Sequence, residues 1–235
     1  GDEGMMIEDH MAEETKPPFR LFVLTSETND RPSEDTTHLC VHSSVTEIFP
    51  KEFEGMAKLE DIFISEGVQW IGGKAFKDCS NLQRVSLSTT LESIGYRSFY
   101  GTSLVTVQLQ EGFRTIGFAA FGSCQFLRKV QLPCTLNKIE EWAFSHCSSL
   151  VDINLPKGLQ SIGRLAFSGC TVLPTISIPS SVETLGGWCF QSCTSLSNVT
   201  LEAPVLDIQA GTFAMCKGLS HLSVPMGVEV LASDC

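Results

Sequence analysis

The 235-residue chain has no apolar run long enough to cross a bilayer and no excess of positive charge. A membrane-spanning helix needs about 18 consecutive apolar residues, and no segment reaches that length. Lys and Arg together number 16 against 27 Asp and Glu, so the basic surface that nucleic-acid-binding proteins use is missing. We therefore expect neither membrane insertion nor nucleic-acid binding.

Catalytic signatures are also absent from the sequence. It contains no G-x-G-x-x-G motif, no Walker-type phosphate loop and no G-x-S-x-G nucleophile elbow. His146 and His221 lie far apart in the chain, and neither has an acidic residue at a spacing that would orient it. We expect a protein without enzymatic activity and without a cofactor.

What the chain does contain is a pattern that repeats every 23 residues, with one interval of 22 because a residue is missing after Thr102. Eight full units cover residues 48–230, and a truncated ninth unit covers 231–235. A fixed period of this length indicates a solenoid. The units begin at Ile48, Ile71, Ile94, Ile116, Ile139, Ile162, Leu185, Ile208 and Leu231.

One half of each unit has the features of a short strand. Position 12 is leucine in all eight units, and positions 15 and 17 are aliphatic, as in Ile153 and Leu155. This alternation turns one face of the strand inward. Proline at position 18, as at Pro156, ends the strand because it has no amide to continue a ladder.

The other half of the unit reads I-G-x-x-A-F-x-x-C. Positions 1, 5, 6 and 9 have the spacing of an inward stripe on one or two helical turns. Phenylalanine occupies position 6 in all eight units, so stacking would align the rings in an aromatic spine. Each ring would bury roughly 150–250 Å². Because no unit can bury this surface alone, the fold is predicted to exist only as a stack.

The frame I-G-x-x-A-F-x-x-C-x-x-L-x-x-I-x-L-P resembles the BspA-like class of leucine-rich repeats. The resemblance implies a repeat solenoid with short parallel strands on its concave face and turns or short helices on its convex side. We expect an acidic, partly disordered leader over residues 1–36, with a cap strand within 19–24, followed by the solenoid over 37–235. Departures from the frame are Glu52 and Thr212 at position 5, Met56 and Thr102 at position 9, and the shortened unit, which predicts irregular curvature near residue 102.

The outward side chains of the strands lie at positions 13, 14, 16 and 18, and the resemblance implies that they form the concave surface. Along the array it changes from acidic, through a basic band, to a neutral end rich in Ser, Thr and Asn. Such a surface suits a protein partner, or else a glycan, although a merely solvated sheet would have the same composition. The candidate binding residues on it are Phe63, Arg84, Gln108, Arg128, Lys129, Gln131 and Asn154.

On the opposite side, position 4 is apolar in three successive units, as Trp142, Leu165 and Trp188. Adjacent coils would place these side chains about 5 Å apart, in a row. The row is either an exposed patch that binds a partner or a surface covered by neighbouring loops. We include these three residues among the partner-binding candidates.

Six of the ten cysteines occupy position 9. Neighbouring coils would bring them within disulfide range, but Met56 and Thr102 take the same position in other units, which favours buried, reduced thiols. The N-terminal sequence GDEGMMIEDH is acidic, unlike a signal peptide. We expect a cytoplasmic protein, with the cell surface as the alternative. The sequence does not indicate the oligomeric state.

His38, Cys40 and His42 follow one another on the outward side of a strand and are ligand types that suit zinc. On an extended strand the two histidines would be about 13 Å apart, too far to share one ion. Three solvent-facing polar residues are therefore the favoured interpretation, and no metal is expected.

Two functions remain. The first is a non-catalytic scaffold that binds a protein partner on the concave face. The second, which the resemblance implies for some members, is a cell-surface adhesin or antigen.

Overall fold

A computed structural model of the chain describes residues 20–28, 30–202, 207–223 and 225. These residues form a parallel β-solenoid whose coils follow the sequence units, and no helix occurs among them. The solenoid predicted from the repeat is thus confirmed. The predicted disorder of residues 1–16 and the truncated unit 231–235 lie outside the described residues.

Each coil contributes one strand that we call long, over positions 14 to 17 of its unit or part of them. Side chains alternate along it, so Ile62 and Ile64 are buried while Phe63 faces outward. Strands are numbered in chain order. The long strands are β1 (Leu21–Leu24), β2 (His38–Val41), β4 (Asp61–Ile64), β6 (Arg84–Ser86), β8 (Thr106–Gln108), β10 (Lys129–Gln131), β12 (Asp152–Ile153), β14 (Thr175–Ile178), β16 (Asn198–Leu201) and β18 (His221–Ser223).

A second set of strands, each of two residues, covers positions 23 and 1 of consecutive units. They pair in parallel into one eight-stranded sheet, with the position-1 residue buried in each. The periodicity of the sequence does not predict this ladder. The short strands are β3 (Glu47–Ile48), β5 (Trp70–Ile71), β7 (Ser93–Ile94), β9 (Thr115–Ile116), β11 (Lys138–Ile139), β13 (Ser161–Ile162), β15 (Thr184–Leu185) and β17 (Asp207–Ile208).

The long strands form three consecutive sheets, β1-β2-β4-β6, β8-β10-β12 and β14-β16-β18. The first interruption follows the missing residue after Thr102, in the turn before β8. The second coincides with Pro174 at position 13. In other units this position donates its amide to the preceding coil, as from Arg128 N to Val105 O at 2.8 Å. Proline has no amide to donate, so pairing between β12 and β14 is lost.

The segment between the two strands of a unit is a chain of tight turns rather than a short helix. Positions 4 and 8 have left-handed backbone in all eight units, with φ between 51° and 79°. An L-residue in this conformation interrupts a right-handed helix. Some amides donate a hydrogen bond to the carbonyl three residues earlier, as from Ser145 N to Trp142 O at 3.0 Å. The amides that alternate with them donate to a carbonyl of the next coil, as from Phe144 N to Ala166 O at 2.8 Å.

The core is the predicted aromatic spine. Eight phenylalanine rings stack along the array with centroids 5.3 to 5.7 Å apart and ring planes within 4° to 16°. The position-12 leucines pack beside them and are fully buried from Leu59 to Leu196. Repeated burial of the same two side chains in every coil makes the array one continuous hydrophobic core.

Candidate functional site

The outward side chains of the long strands form a surface that we call the long-strand face, and this face begins with an exposed apolar strip. The strand register places Val23, Cys40 and Phe63 side by side on β1, β2 and β4. Val23 is 42% exposed, Phe63 is 53% exposed, and Leu21 on the same face of β1 is 54% exposed. Neighbouring strands are about 4.8 Å apart, so these side chains are contiguous. We call Leu21, Val23, Cys40 and Phe63 the apolar row.

A charged row runs beside the apolar row, at position 14 of β2, β4 and β6. The Asp61 carboxylate lies 3.0 Å from Nε2 of His38 and accepts a hydrogen bond from the Arg84 guanidinium. Oδ1 of Asp61 is buried and has no hydrogen-bond partner among the described residues. The row joins three neighbouring strands and gives the apolar row a polar border.

The predicted basic band consists of Arg84, Arg128 and Lys129, and its charge is partly neutralised within the protein. Arg84 is paired with Asp61, and Lys129 Nζ lies 2.8 Å from Asp152 Oδ2. The Lys129–Asp152 pair is solvent-accessible on both sides, and exposed pairs of this kind contribute at most about 1 kcal/mol. Among the described residues, only Arg128 of the three predicted cations has no acidic partner within ion-pair distance.

The other predicted residues of this face lie beyond the first interruption of the sheet. Gln108 and Gln131 are paired in register on β8 and β10, and both are exposed. Asn154 is exposed directly after β12. The structure therefore brings Gln108, Gln131 and Asn154 onto one part of the face, separate from the apolar row.

The row of three apolar residues on the turn side is interrupted at its centre. Trp142 is half-buried and Trp188 is 38% exposed, but Leu165 is only 7% exposed. Leu165 occupies the same repeat position as the two tryptophans, one coil away from each. Of the two interpretations of this row, a continuous exposed patch does not fit these exposures, because only the tryptophans at its two ends are accessible. Trp188 is packed under the Arg164 guanidinium, 5.0 Å from its ring centroid.

The position-9 thiols point at backbone carbonyls rather than at one another. Each donates to the carbonyl of the position-6 phenylalanine in the preceding coil, at 3.1 to 3.3 Å. Burial raises the pKa of Cys79 and of Cys170 to about 12, and that of Cys124 to about 11. Thiols with such pKa values are poor nucleophiles. Thr102, at the same position, donates from its hydroxyl to Phe99 O.

His38, Cys40 and His42 do not converge. His38 faces Asp61, while Nδ1 of His42 lies 3.0 Å from Oγ of Ser44. In the part of the chain that the structure describes, no three His, Cys, Asp or Glu side chains are grouped as metal ligands. The described residues form no helix, and so they include no helix that could cross a membrane.

Two features of the site are not among the predictions from the sequence. The first is the extension of the long-strand face to β1, because residues 21–24 lie outside the repeat frame. The second is the pairing of the charges, although Asp61 and Arg84, like Lys129 and Asp152, are one period of 23 residues apart. Opposite charges at that separation were the signal that could have identified both ion pairs.

Comparisons with known proteins agree with the repeat architecture. The family model described as BspA type Leucine rich repeat region matches six copies, over residues 33–128 and 114–235. Among solved structures, a leucine-rich repeat protein of T. pallidum, TpLRR, is 26% identical with a TM-score of 0.58, and the match covers 78% of each chain. A leucine-rich repeat protein of Bacteroides ovatus is 29% identical with a TM-score of 0.61, and the match covers 78% of this chain.

The chain spans about half of the Bacteroides ovatus protein, with 54% of that chain covered. None of the curated protein sequences matches it significantly. The family model nevertheless accounts for most of the sequence, and the fold agrees with it at every unit described. The chain belongs to the BspA-type leucine-rich repeat family.

Proposed function

We propose that the protein is a non-catalytic scaffold that binds a protein partner on its long-strand face. The observation that carries this proposal is the apolar row, which is exposed on an otherwise polar sheet. Contiguous apolar side chains with a polar rim are typical of the centre of a protein interface. Phe63 is the largest side chain in the row and its proposed anchor.

The structural framework suits this role because the face is fixed before a partner arrives. The inward neighbours Ile62 and Ile64 of Phe63 are 3% and 2% exposed, and β4 pairs with a strand on each side. A rigid surface loses little conformational entropy on binding. The charged row of His38, Asp61 and Arg84 would then select the orientation of the partner through its border contacts.

The test is selection of peptides from a random library displayed on phage, using the immobilised wild-type chain. Binders are then ranked on the wild type, on Phe63→Ser and on the matched control Phe126→Ser. Phe126 is 59% exposed, against 53% for Phe63, so both variants remove an equally accessible ring. We expect peptides that lose binding to Phe63→Ser and keep it to Phe126→Ser. Peptides that bind all three chains equally would contradict the proposal.

We propose that the protein resides in a reducing compartment, the cytoplasm. The alternative is the cell surface, where the protein would be an adhesin. The support is the direction of the thiols: a disulfide between neighbouring position-9 cysteines would remove their hydrogen bonds to the phenylalanine carbonyls. A network of satisfied buried donors favours the reduced chain. Disulfides, in contrast, are typical of exported proteins.

A further inference from the structure

A cleft of about 320 Å³ opens on the turn side, across the three units that begin at Ile94, Ile116 and Ile139. It exists because the middle unit carries small residues, Ala119 at position 4 and Gly122 at position 7. The flanking units have larger side chains around these positions. They supply the walls of the cleft, which are Arg97, Tyr100 and Trp142.

Arg97 is held in this cleft by two aromatic rings. Its guanidinium carbon lies 5.6 Å from the centroid of Tyr100 and 5.7 Å from that of Phe118. Its Nε is buried and has no hydrogen-bond partner among the described residues. No carboxylate of the described residues lines the cleft. The site therefore contains a positioned cation, Arg97, that has no counter-charge in the part of the chain that the structure describes.

The aromatic walls are also fixed by the backbone. The Tyr100 ring lies against Gly122, where an added Cβ would be 2.9 Å from Cδ2 of the ring. Trp142, on the other side, projects from a left-handed residue with φ of 62°, whose amide donates to Arg164 O at 3.0 Å. A cleft of this kind is formed in advance of a ligand.

We propose that this cleft binds an acidic segment of a partner protein, in which a carboxylate pairs with Arg97 and an adjacent apolar side chain lies between Tyr100 and Trp142. Charge complementarity selects the carboxylate, since guanidinium groups bind carboxylates through paired hydrogen bonds. The aromatic walls select the apolar neighbour. Tryptophan, tyrosine and arginine are also the side chains that dominate binding energy at protein interfaces. The site does not depend on the long-strand face.

The probe is N-acetyl-phenylalanine, which combines one carboxylate with one apolar ring, and its neutral counterpart N-acetyl-phenylalaninamide. Binding is followed by the NMR signals of the indole N–H groups of Trp70, Trp142 and Trp188, assigned with single Trp→Phe variants. We expect the acid to shift the Trp142 signal in a saturable way and the amide to bind at least tenfold more weakly. No saturable shift at Trp142, or equal affinity for acid and amide, would overturn the proposal.

Two variants distinguish the contribution of the Arg97 charge to binding from the contribution of the space in the cleft. Arg97→Gln should abolish the preference for the acid. Ala119→Leu should abolish binding by filling the floor, and leucine is compatible with this position because Leu165 occupies it in another unit with φ of 56°. The matched control Arg164→Gln removes an arginine that stacks on Trp188 outside the cleft and should leave binding unchanged.

Retention of the acid preference in Arg97→Gln would contradict the proposal even if Ala119→Leu failed to fold. Glucuronate provides the remaining comparison, since it offers a carboxylate on a sugar. We expect it to bind at least tenfold more weakly than N-acetyl-phenylalanine. Equal or tighter binding of glucuronate would overturn the proposal, because the ligand of the cleft would then be an acidic glycan and not a protein segment.

Discussion

A single side chain, the phenylalanine at position 6, does most to determine how one coil packs on the next. Each ring inside the stack contacts the ring above and the ring below, as Phe144 does with Phe121 and Phe167. Ring centroids 5.3 to 5.7 Å apart with nearly parallel planes give stacking contacts that add to the burial of apolar area. The sequence predicts this spine without ambiguity because the residue recurs in every unit at one position.

Truncation of the spine should therefore be costly. Phe144→Ala is expected to reduce the free energy of unfolding by about 3–5 kcal/mol, the range for a large-to-small change in a core that cannot collapse. Thermal or urea unfolding followed by circular dichroism measures it. The control Phe126→Ala, at a 59% exposed position, should change stability by less than about 0.5 kcal/mol. Similar losses in both variants would contradict the stacking account.

The conformation of the turns is less evident from the sequence than the spine is. The spacing of positions 1, 5, 6 and 9 fits a helical turn as well as it fits the observed turns, because both bury the same residues. The distinguishing feature is the left-handed backbone at positions 4 and 8. Glycine marks it in Gly55, Gly101, Gly169 and Gly211, but twelve other residues, Trp142 and Leu165 among them, adopt the same conformation. The identity of these twelve residues does not indicate a left-handed backbone, so only the four glycines could have predicted that conformation.

At the scale of elements, the long strands followed from their alternation and the short strands did not. Two residues are too few to produce a periodic pattern in the sequence. The only sign of the eight short strands in the sequence is therefore the apolar residue at position 1 of each unit. The interruptions of the first sheet have local causes, a missing residue and Pro174, both visible in the sequence. Their consequence, the division of the long-strand face into parts, required the strand pairing itself.

Side chains at the turns after the long strands connect neighbouring elements. The Glu66 carboxylate accepts hydrogen bonds from the amide and the hydroxyl of Thr89 and from the amide of Thr90, one coil away. These bonds lower the pKa of Glu66 below its ordinary value of 4.5. A carboxylate with a lowered pKa in the folded state stabilises the fold above the unfolded-state pKa, and this contribution is lost as the pH falls through the folded-state value.

The resulting prediction concerns stability in acid. The melting temperature of the wild type should fall as the pH drops below about 4.5, and Glu66→Gln should show a smaller fall, since the amide cannot be protonated in this range. Melting curves between neutral and acid pH measure it. Glu92→Gln is the control, because the exposed Glu92 carboxylate has no hydrogen-bond partner in the described chain. If the Glu66 variant had the same pH dependence as the wild type, these contacts would not stabilise the coil junction.

At the scale of the molecule, charge is unevenly distributed. Residues 1–47 contain eleven acids and three bases, a net charge of −8, and residues 48–235 contain sixteen acids and thirteen bases, a net charge of −3. The array itself is thus nearly balanced. Of the residues proposed as sites, the apolar row lies near one end of the array and the Arg97 cleft near its middle, on the turn side. The two proposed sites therefore lie on separate surfaces.

The redox state is a property of the whole array, because six of its coils share the thiol position. We expect all ten cysteines of the purified chain to be alkylated after denaturation without reductant. Mass spectrometry counts the labels. Ten labels would agree with the carbonyl-directed thiols of the structure, whereas several bridged pairs would contradict the proposed reducing compartment and make the surface adhesin the leading function.

The most direct test of the proposed function is the affinity of a selected partner peptide for the wild-type and Phe63→Ser chains, measured by isothermal titration calorimetry. If Phe63 anchors the interface, its loss should weaken binding at least thirtyfold, which corresponds to roughly 2 kcal/mol. The Phe126→Ser control should stay within about twofold of the wild type, in line with a change of less than about 0.5 kcal/mol. Equal affinity of the wild-type and Phe63→Ser chains would contradict the account, because the apolar row would then not be the surface that binds the partner.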